Sequence, residues 1–456
     1  MRRRKSILTL LIVFSAGASV WPSTFDFAAD PAPVSMRWHA RTIRVALSTS
    51  LTSPGPAIKP DSDVTGAVKR ALKQWSNVAD IKFVEAPSKL QSVSPLNAGD
   101  GINLITIAAT NNNLEMFTTG EHPARTRVFY DSKTGEISEA DIVINPMPYS
   151  EWGLPLQFST DGTPGTYDLE STLAHEIGHL LGLDHSNLIS STMHPCQALN
   201  GVYRLPAFTQ RTLSEADRQA VRNIYGPANK EHGAIEGHIL NSFEEGRLVP
   251  VADAHIWVES LVSGGIVAST LSGPNGAFRI EGVPTGDYRV LIESRKGSMF
   301  GIPALSDDLD DSEEPGGFRS VEISSKTRVT SQATSTVDYV FVPPQNTVAR
   351  LTPRFIGTNG ELSIVPLPGR KGSTITLYLA GEGVDQVPGS GISVTSPFVT
   401  VDAATLQRED FDNGMPVISI RVTISDDSPS GDYSIRLQSH WGEVAYVAGG
   451  ITIDPS

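Results

Sequence analysis

The chain has 456 residues, with 36 Lys and Arg against 50 Asp and Glu, a formal charge of −14. That balance excludes an electrostatically driven nucleic-acid binder, and at about 150 residues per domain the length predicts roughly three domains. The single Cys excludes an internal disulfide and any zinc site built on four cysteines or on two cysteines and two histidines, while 40 Gly and 31 Pro point to many turns and much β structure.

Residues 1–18 read as an export signal. Arg2, Arg3, Arg4 and Lys5 supply the basic region, Ile7 to Phe14 the apolar one, and Ala16-Gly17-Ala18 a small-residue cleavage site. A largely apolar stretch of eight residues is too short to span a bilayer. A secreted, extracytoplasmic protein that does not cross a membrane is expected.

Residues 36–226 mix helix and strand signals. Thr42 to Ser48 alternates like a strand. In Asp63 to Val78, apolar Val64, Val68, Leu72, Trp75 and Val78 recur at helical spacing. Short strands are expected at Ile81–Val84, Asn103–Ile107, Arg127–Tyr130 and Asp141–Ile144. Further helices should cover Leu169–Leu181 and Ser214–Tyr225, the last with Ser214 and Asp217 as a capping box and Gly226-Pro227 as its stop.

After the polar stretch Pro227–Gly233, helical periodicity disappears. Residues 234–343 and 347–456, separated at Pro343-Pro344-Gln345-Asn346, show short alternating runs broken by turns such as Asn275-Gly276. Two all-β modules are expected there.

The chemistry concentrates in His175-Glu176-Ile177-Gly178-His179-Leu180-Leu181-Gly182-Leu183-Asp184-His185. Residues four apart share one helix face, so His175 and His179 can offer two imidazoles to one ion. Gly182 can take a positive φ, turning the chain so that His185 becomes the third ligand. Three neutral nitrogens leave a fourth tetrahedral position for water, as at a catalytic zinc. Glu176 stands beside the first ligand, where a general base for that water is needed. Three histidines at this spacing, with Glu and Gly in place, are far more specific than the short H-E-x-x-H pattern alone.

This segment resembles the metzincin zinc peptidases and, within them, the matrixins, whose pattern H-E-x-G-H-x-x-G-L-D-H-S it follows through Asp184 and Ser186. Ser191-Thr192-Met193-His194-Pro195 is similar to the Met-turn, which implies that Met193 forms an apolar floor under the zinc. Leu213–Gly226 resembles the closing helix, and Ile137–Trp152 the strand and loop leading to the active-site helix. Over 36–226 the resemblance implies an α+β metzincin catalytic domain, a twisted mixed sheet of five strands with three helices. It also implies an edge strand that pairs with extended substrate near Thr126–Tyr130. Arg127, Val128 and Phe129, with Pro195 after the Met-turn, are therefore the expected substrate-binding residues.

Several features depart from the family. Residues 19–35 are too few for an inhibitory prodomain, and with the only Cys at 196 a prodomain thiolate switch is excluded. Between residues 100 and 150 only His122 could serve a second, structural zinc. Pro195 occupies the place of the Tyr fifth ligand of astacin-like and serralysin-like relatives. Pro195-Cys196-Gln197 replaces the Pro-x-Tyr pocket wall of vertebrate matrixins, so pocket preference does not carry over. The overall look is of a bacterial matrixin-like peptidase.

Residues 234–295 resemble the carboxypeptidase-regulatory-like, transthyretin-like sandwich through Ile235–Ile239, Ala252–Trp257 and Gly276–Tyr288. Residues 347–456 look like an immunoglobulin-like or IPT-type sandwich, through Ser430-Gly431-Asp432-Tyr433. A surface, carbohydrate or protein ligand would suit such modules, although core packing explains their aromatic residues as well. Six acids in eight positions at Asp307–Glu314 offer oxygen ligands to calcium, though such runs are more often solvated loops. Cys196 reads as a small packed residue, or as a redox-sensitive thiol near the cleft. His232, His238, His255 and His440 lack ligand spacing and read as incidental.

The expectation is a monomeric, secreted zinc metalloendopeptidase acting on protein or peptide. His175, His179 and His185 would hold one zinc, with Glu176 as base and acid and Met193 and Gly182 as structural support. The competing expectation is a surface or matrix-binding protein with a secondary or inactive peptidase domain.

Overall fold

The computed structural model describes residues 8–10, 35–117, 122–150, 153–205, 211–226, 231–242, 247–294, 318–341, 350–411 and 414–453. Most of the export segment, the acidic run 307–314 and the second domain break lie outside the described residues.

Strands β1 (Leu8–Leu10), β2 (Thr42–Ser48), β3 (Lys82–Ser88), β4 (Asn103–Thr106), β5 (Ala124–Tyr130) and β6 (Ile137–Ile144) form one mixed sheet in the order β1-β5-β6-β4-β2-β3. The β2–β3, β2–β4 and β4–β6 pairs are parallel, and β5 runs antiparallel to β6. Five strands were expected. The sixth, β1, comes from the export segment and lies antiparallel on the outer side of β5, with Leu8 opposite Tyr130 and Leu10 opposite Val128.

Helices α1 (Val64–Ser76), α3 (Leu169–Leu180) and α4 (Glu215–Tyr225) match the three expected, and a single turn, α2 (Asn111–Leu114), is additional. Each longer helix starts on a side-chain cap: Asp63 accepts from Gly66 N–H, Asp168 from Ser171 N–H, and Ser214 shares a full capping box with Asp217. Such caps satisfy N–H groups that have no partner inside the helix and contribute about 1 kcal/mol each.

The apolar faces of α1 and α3 close over the sheet. Val68, Leu72 and Trp75 meet Leu173, Ile177 and Leu180, above Val45, Ile105, Val128 and Ile142. The buried Trp75 indole donates to Ala174 O at 2.9 Å, which fixes α1 against α3. At the end of α3, Trp38 Nε1 donates to Leu180 O and Tyr225 Oη to Leu181 O, satisfying carbonyls the helix leaves over.

An all-β region follows, built as two pairs of facing sheets. In the first, the strand His232–Ser242 pairs with Leu248–Pro250, Ala277–Pro284, Thr334–Thr336 and Tyr339–Phe341. A four-stranded sheet of Ala254–Ser260, Ile266–Leu271, Gly286–Ser294 and Val321–Val329 faces it. The second packs a five-stranded sheet centred on Thr374–Glu382 and Val417–Ile424 against a four-stranded sheet centred on Gly431–Gln438 and Val444–Ile453.

The three bodies share one buried junction. Leu188 and Ala216 of the first body, Trp257, Ile266 and Leu291 of the second, and Tyr446 and Ala448 of the third form a single apolar cluster. Beside it the fully buried Glu259 accepts from Arg289 Nε at 2.7 Å, Trp257 Nε1 at 2.9 Å and Ser434 Oγ at 2.5 Å. His255, read as incidental in the sequence, is buried here and pairs with Glu293 at 2.8 Å while stacking on Trp257. Its spacing reveals no ligand role, and its strand places it on a buried face.

Candidate metal centre and cleft

Helix α3 carries His175 and His179 on one face, and Gly182 (φ +88°) turns the chain directly after it. A Cβ at Gly182 would lie 2.3 Å from Met36 O, so both the backbone angle and the close approach require glycine. The turn returns His185, and the ligand-type atoms of His175, His179 and His185 all lie within 4.8 Å of one another.

The outer ring nitrogens set the orientation. His175 Nδ1 lies 2.7 Å from Thr192 O and His179 Nδ1 lies 2.8 Å from Leu183 O. A ring that donates Nδ1–H to a carbonyl presents Nε2 as the basic atom, and the two Nε2 atoms stand 3.1 Å apart. Burial lowers the pKa of His175 to about 3 and of His179 to about 4, so both rings are neutral and able to ligate at neutral pH. The three donors fit a zinc ion in number and type.

Met193 packs against the helix that carries the two histidines. A Cβ on Gly178 would sit 2.2 Å from Met193 Sδ, so the glycine between Glu176 and His179 admits the Met-turn against the helix. The turn is tied down by Asp217 of α4, which accepts from Ser191 Oγ at 2.6 Å, Thr192 N at 2.7 Å and Ser214 Oγ at 2.7 Å.

Glu176 is buried, and burial pushes its carboxyl up to about 7. The Thr126 hydroxyl opposes this, donating to Glu176 Oε2 at 2.5 Å and contacting Glu176 O at 3.1 Å. Thr126 was not singled out in the sequence. Strand alternation could have found it, because β5 turns Ala124, Thr126 and Val128 toward α3.

The cleft is lined by His122, Ala124, Ser171, Thr172, His175, Glu176, His185, Thr192, His194, Pro195 and Gln197. The side chains of Arg127, Val128 and Phe129 are not among the lining: all three are buried, Val128 in the main core and Arg127 donating to Ser94 O. This part of β5 can therefore offer an extended chain only its backbone. Gln197 is held by Thr172 Oγ1 at 2.8 Å and reaches Asp168 O at 3.2 Å. Burial pushes the Cys196 thiol up to about 11, which keeps it protonated and favours the packed reading over a reactive thiolate.

Residues 113–226 match the family model for matrixins, the M10 peptidases. The chain is 25% identical over 200 residues to Metalloendoproteinase 1 of Glycine max, covering 42% of this chain and 53% of that protein. It is 27% identical to Matrix metalloproteinase-16 of Rattus norvegicus (42% of this chain, 28% of that protein) and 28% identical to Interstitial collagenase of Equus caballus (37% and 29%). The chain thus spans about half the length of the first of these and less than a third of the others. Among solved structures, the major pilin subunit of Bacillus cereus overlaps 47% of this chain and 66% of its own at 11% identity and a TM-score of 0.16, which carries no argument. The matrixin resemblance read from the motif is thus supported over the segment that bears the site. No described helix is long and apolar enough to cross a membrane.

Proposed function

We propose that the protein is a secreted zinc-dependent endopeptidase that hydrolyses peptide bonds in protein or peptide substrates. The observation that carries this reading is three imidazoles converging within 4.8 Å beside a buried carboxylate that keeps its own hydroxyl donor. Zinc held by His175, His179 and His185 would polarise the scissile carbonyl and bring the pKa of a bound water to about 7.

Glu176 takes a proton from the attacking water and returns it to the leaving amine, a role worth about 10²–10⁴ in rate. The backbone of β5 aligns the substrate as an added antiparallel strand; the pairing of Leu8–Leu10 along that edge supports its capacity to do so. Pro195 and Gln197 bound the pocket for the side chain next to the scissile bond.

The test is cleavage of unfolded protein by the purified chain, with and without chelator, beside Glu176→Ala. The expected result is cleavage abolished by chelator, restored by zinc, and reduced at least about 10²-fold in the variant. Chelator-insensitive or variant-insensitive cleavage would overturn the mechanism, and no cleavage at all would favour a binding role.

A further inference from the structure

The segment Ser186–Leu205 holds the Met-turn and the Pro195–Gln197 wall of the cleft, and the C-terminal sandwich grips it on both sides. Upstream, Ile189 is fully buried in the apolar core of that sandwich. Its N–H donates to Ala448 O at 3.3 Å. Gly449 (φ +76°) lets the strand approach, because a Cβ there would meet Ser190 Oγ at 2.4 Å.

Downstream, Tyr203 enters the same core with no exposed surface. Its hydroxyl donates to Val365 O at 2.6 Å and lies 3.3 Å from Ile356 O, while Asn359 Nδ2 donates to Tyr203 O at 2.8 Å. Tyr203 and Arg204 have φ of +62° and +54°. A non-glycine residue there costs about 1–3 kcal/mol and persists only where its surroundings over-determine it. The Arg204–Glu361 ion pair, mostly exposed on the arginine side, adds little. The buried ring and its hydrogen bonds are what hold the turn.

Between the two anchors lie the groups the site depends on. Thr192 O orients His175, Met193 fills the space beside Gly178, and Pro195 and Gln197 face the cleft. Ala198 packs against the sandwich core itself.

We propose that the C-terminal sandwich is a positioning element of the catalytic cleft: Ile189 and Tyr203, seated in its core, set the course of the Met-turn and of the pocket wall. The chemistry this would serve rests on the peptidase reading, whereas the restraint on the loop does not.

Amide hydrogen exchange in the full-length chain tests the restraint, comparing wild type with Tyr203→Ala, Tyr203→Phe and Ile189→Ala. The hydrogen-bonded amides of Thr192, Met193 and His194 should lose protection at least tenfold in Tyr203→Ala. Those of α1 and of Val417–Ile424 should stay within twofold, and Tyr203→Phe should recover part of the loss. Should Tyr203→Ala fail to fold, Tyr203→Phe and Ile189→Ala carry the same comparison, each expected to loosen the loop more than α1. Unchanged exchange at 192–194, or a loss spread evenly over all elements, would overturn the proposal.

Cleavage of a peptide library gives the second readout. The variants should raise KM several-fold more than they lower kcat and broaden the preference beside the scissile bond, with zinc stoichiometry unchanged. An unaltered cleavage profile would also overturn the proposal. A wild type that cleaves nothing, yet shows the exchange pattern, would sink the peptidase reading alone.

Discussion

Glu176 is a buried carboxylate with one short donor, and the Thr126 hydroxyl at 2.5 Å favours its ionised form. A general base works only when ionised, so losing that donor raises its pKa and moves the acid limb of kcat/KM to higher pH. Thr126→Val should therefore lose more activity at pH 6 than at pH 8, by about tenfold per unit of limb shift; a profile that only scales downward would contradict this. Gly178→Ala sets two effects against each other. Alanine gains up to about 1 kcal/mol of helix propensity, but its methyl meets Met193 Sδ at 2.2 Å, and overpacking costs about 1–3 kcal/mol. Overpacking wins, so thermal unfolding should show a lower midpoint, and zinc should dissociate faster as the Met-turn is pushed away.

At the scale of elements, α4 closes the domain and also fastens the turn under the site. Asp217 completes the capping box and receives Ser191 Oγ and Thr192 N, so one carboxylate links a helix start to the turn that orients His175. Asp217→Ala leaves several buried donors without an acceptor, at roughly 1–3 kcal/mol each before relaxation. The variant should unfold more easily and bind zinc more weakly, whereas losing the cap alone would cost only about 1 kcal/mol. Equilibrium unfolding with zinc titration separates the two outcomes. The helices themselves were legible in the sequence, because their caps and apolar spacing are local: α1 runs Val64–Ser76 from cap Asp63, and α4 starts at the capping box. The turn at Asn111–Leu114 escaped notice, since four residues are too few to show a helical period.

Across the whole molecule, the Trp257 junction makes three bodies cohere. Trp257→Ala removes its largest buried side chain, at about 3–5 kcal/mol. Calorimetry should show the variant's first sandwich melting ahead of the rest; a profile unchanged from wild type would argue against a shared junction. The sequence pointed to the three converging histidines because two are spaced along one helix and a glycine turn returns the third, a pattern that is itself chemical. It revealed an all-β C-terminal region because strand alternation is local. It hid the junction, since burial of Trp257, His255 and Glu259 follows from which faces meet, and no period encodes that. It did not show that the side chains of Arg127, Val128 and Phe129 are buried, because alternation along an edge strand does not disclose what packs on each of its faces.

The Tyr203 anchor has a consequence in time. The carbonyls around its hydroxyl belong to residues 153 and 162 positions further along the chain. Synthesis runs from the amino end, so every growing chain possesses its complete set of imidazoles well before it possesses the seat for Tyr203. Contacts of such long separation also form late in folding. During that interval the three histidines are in place while the wall beside them still lacks its Tyr203 anchor.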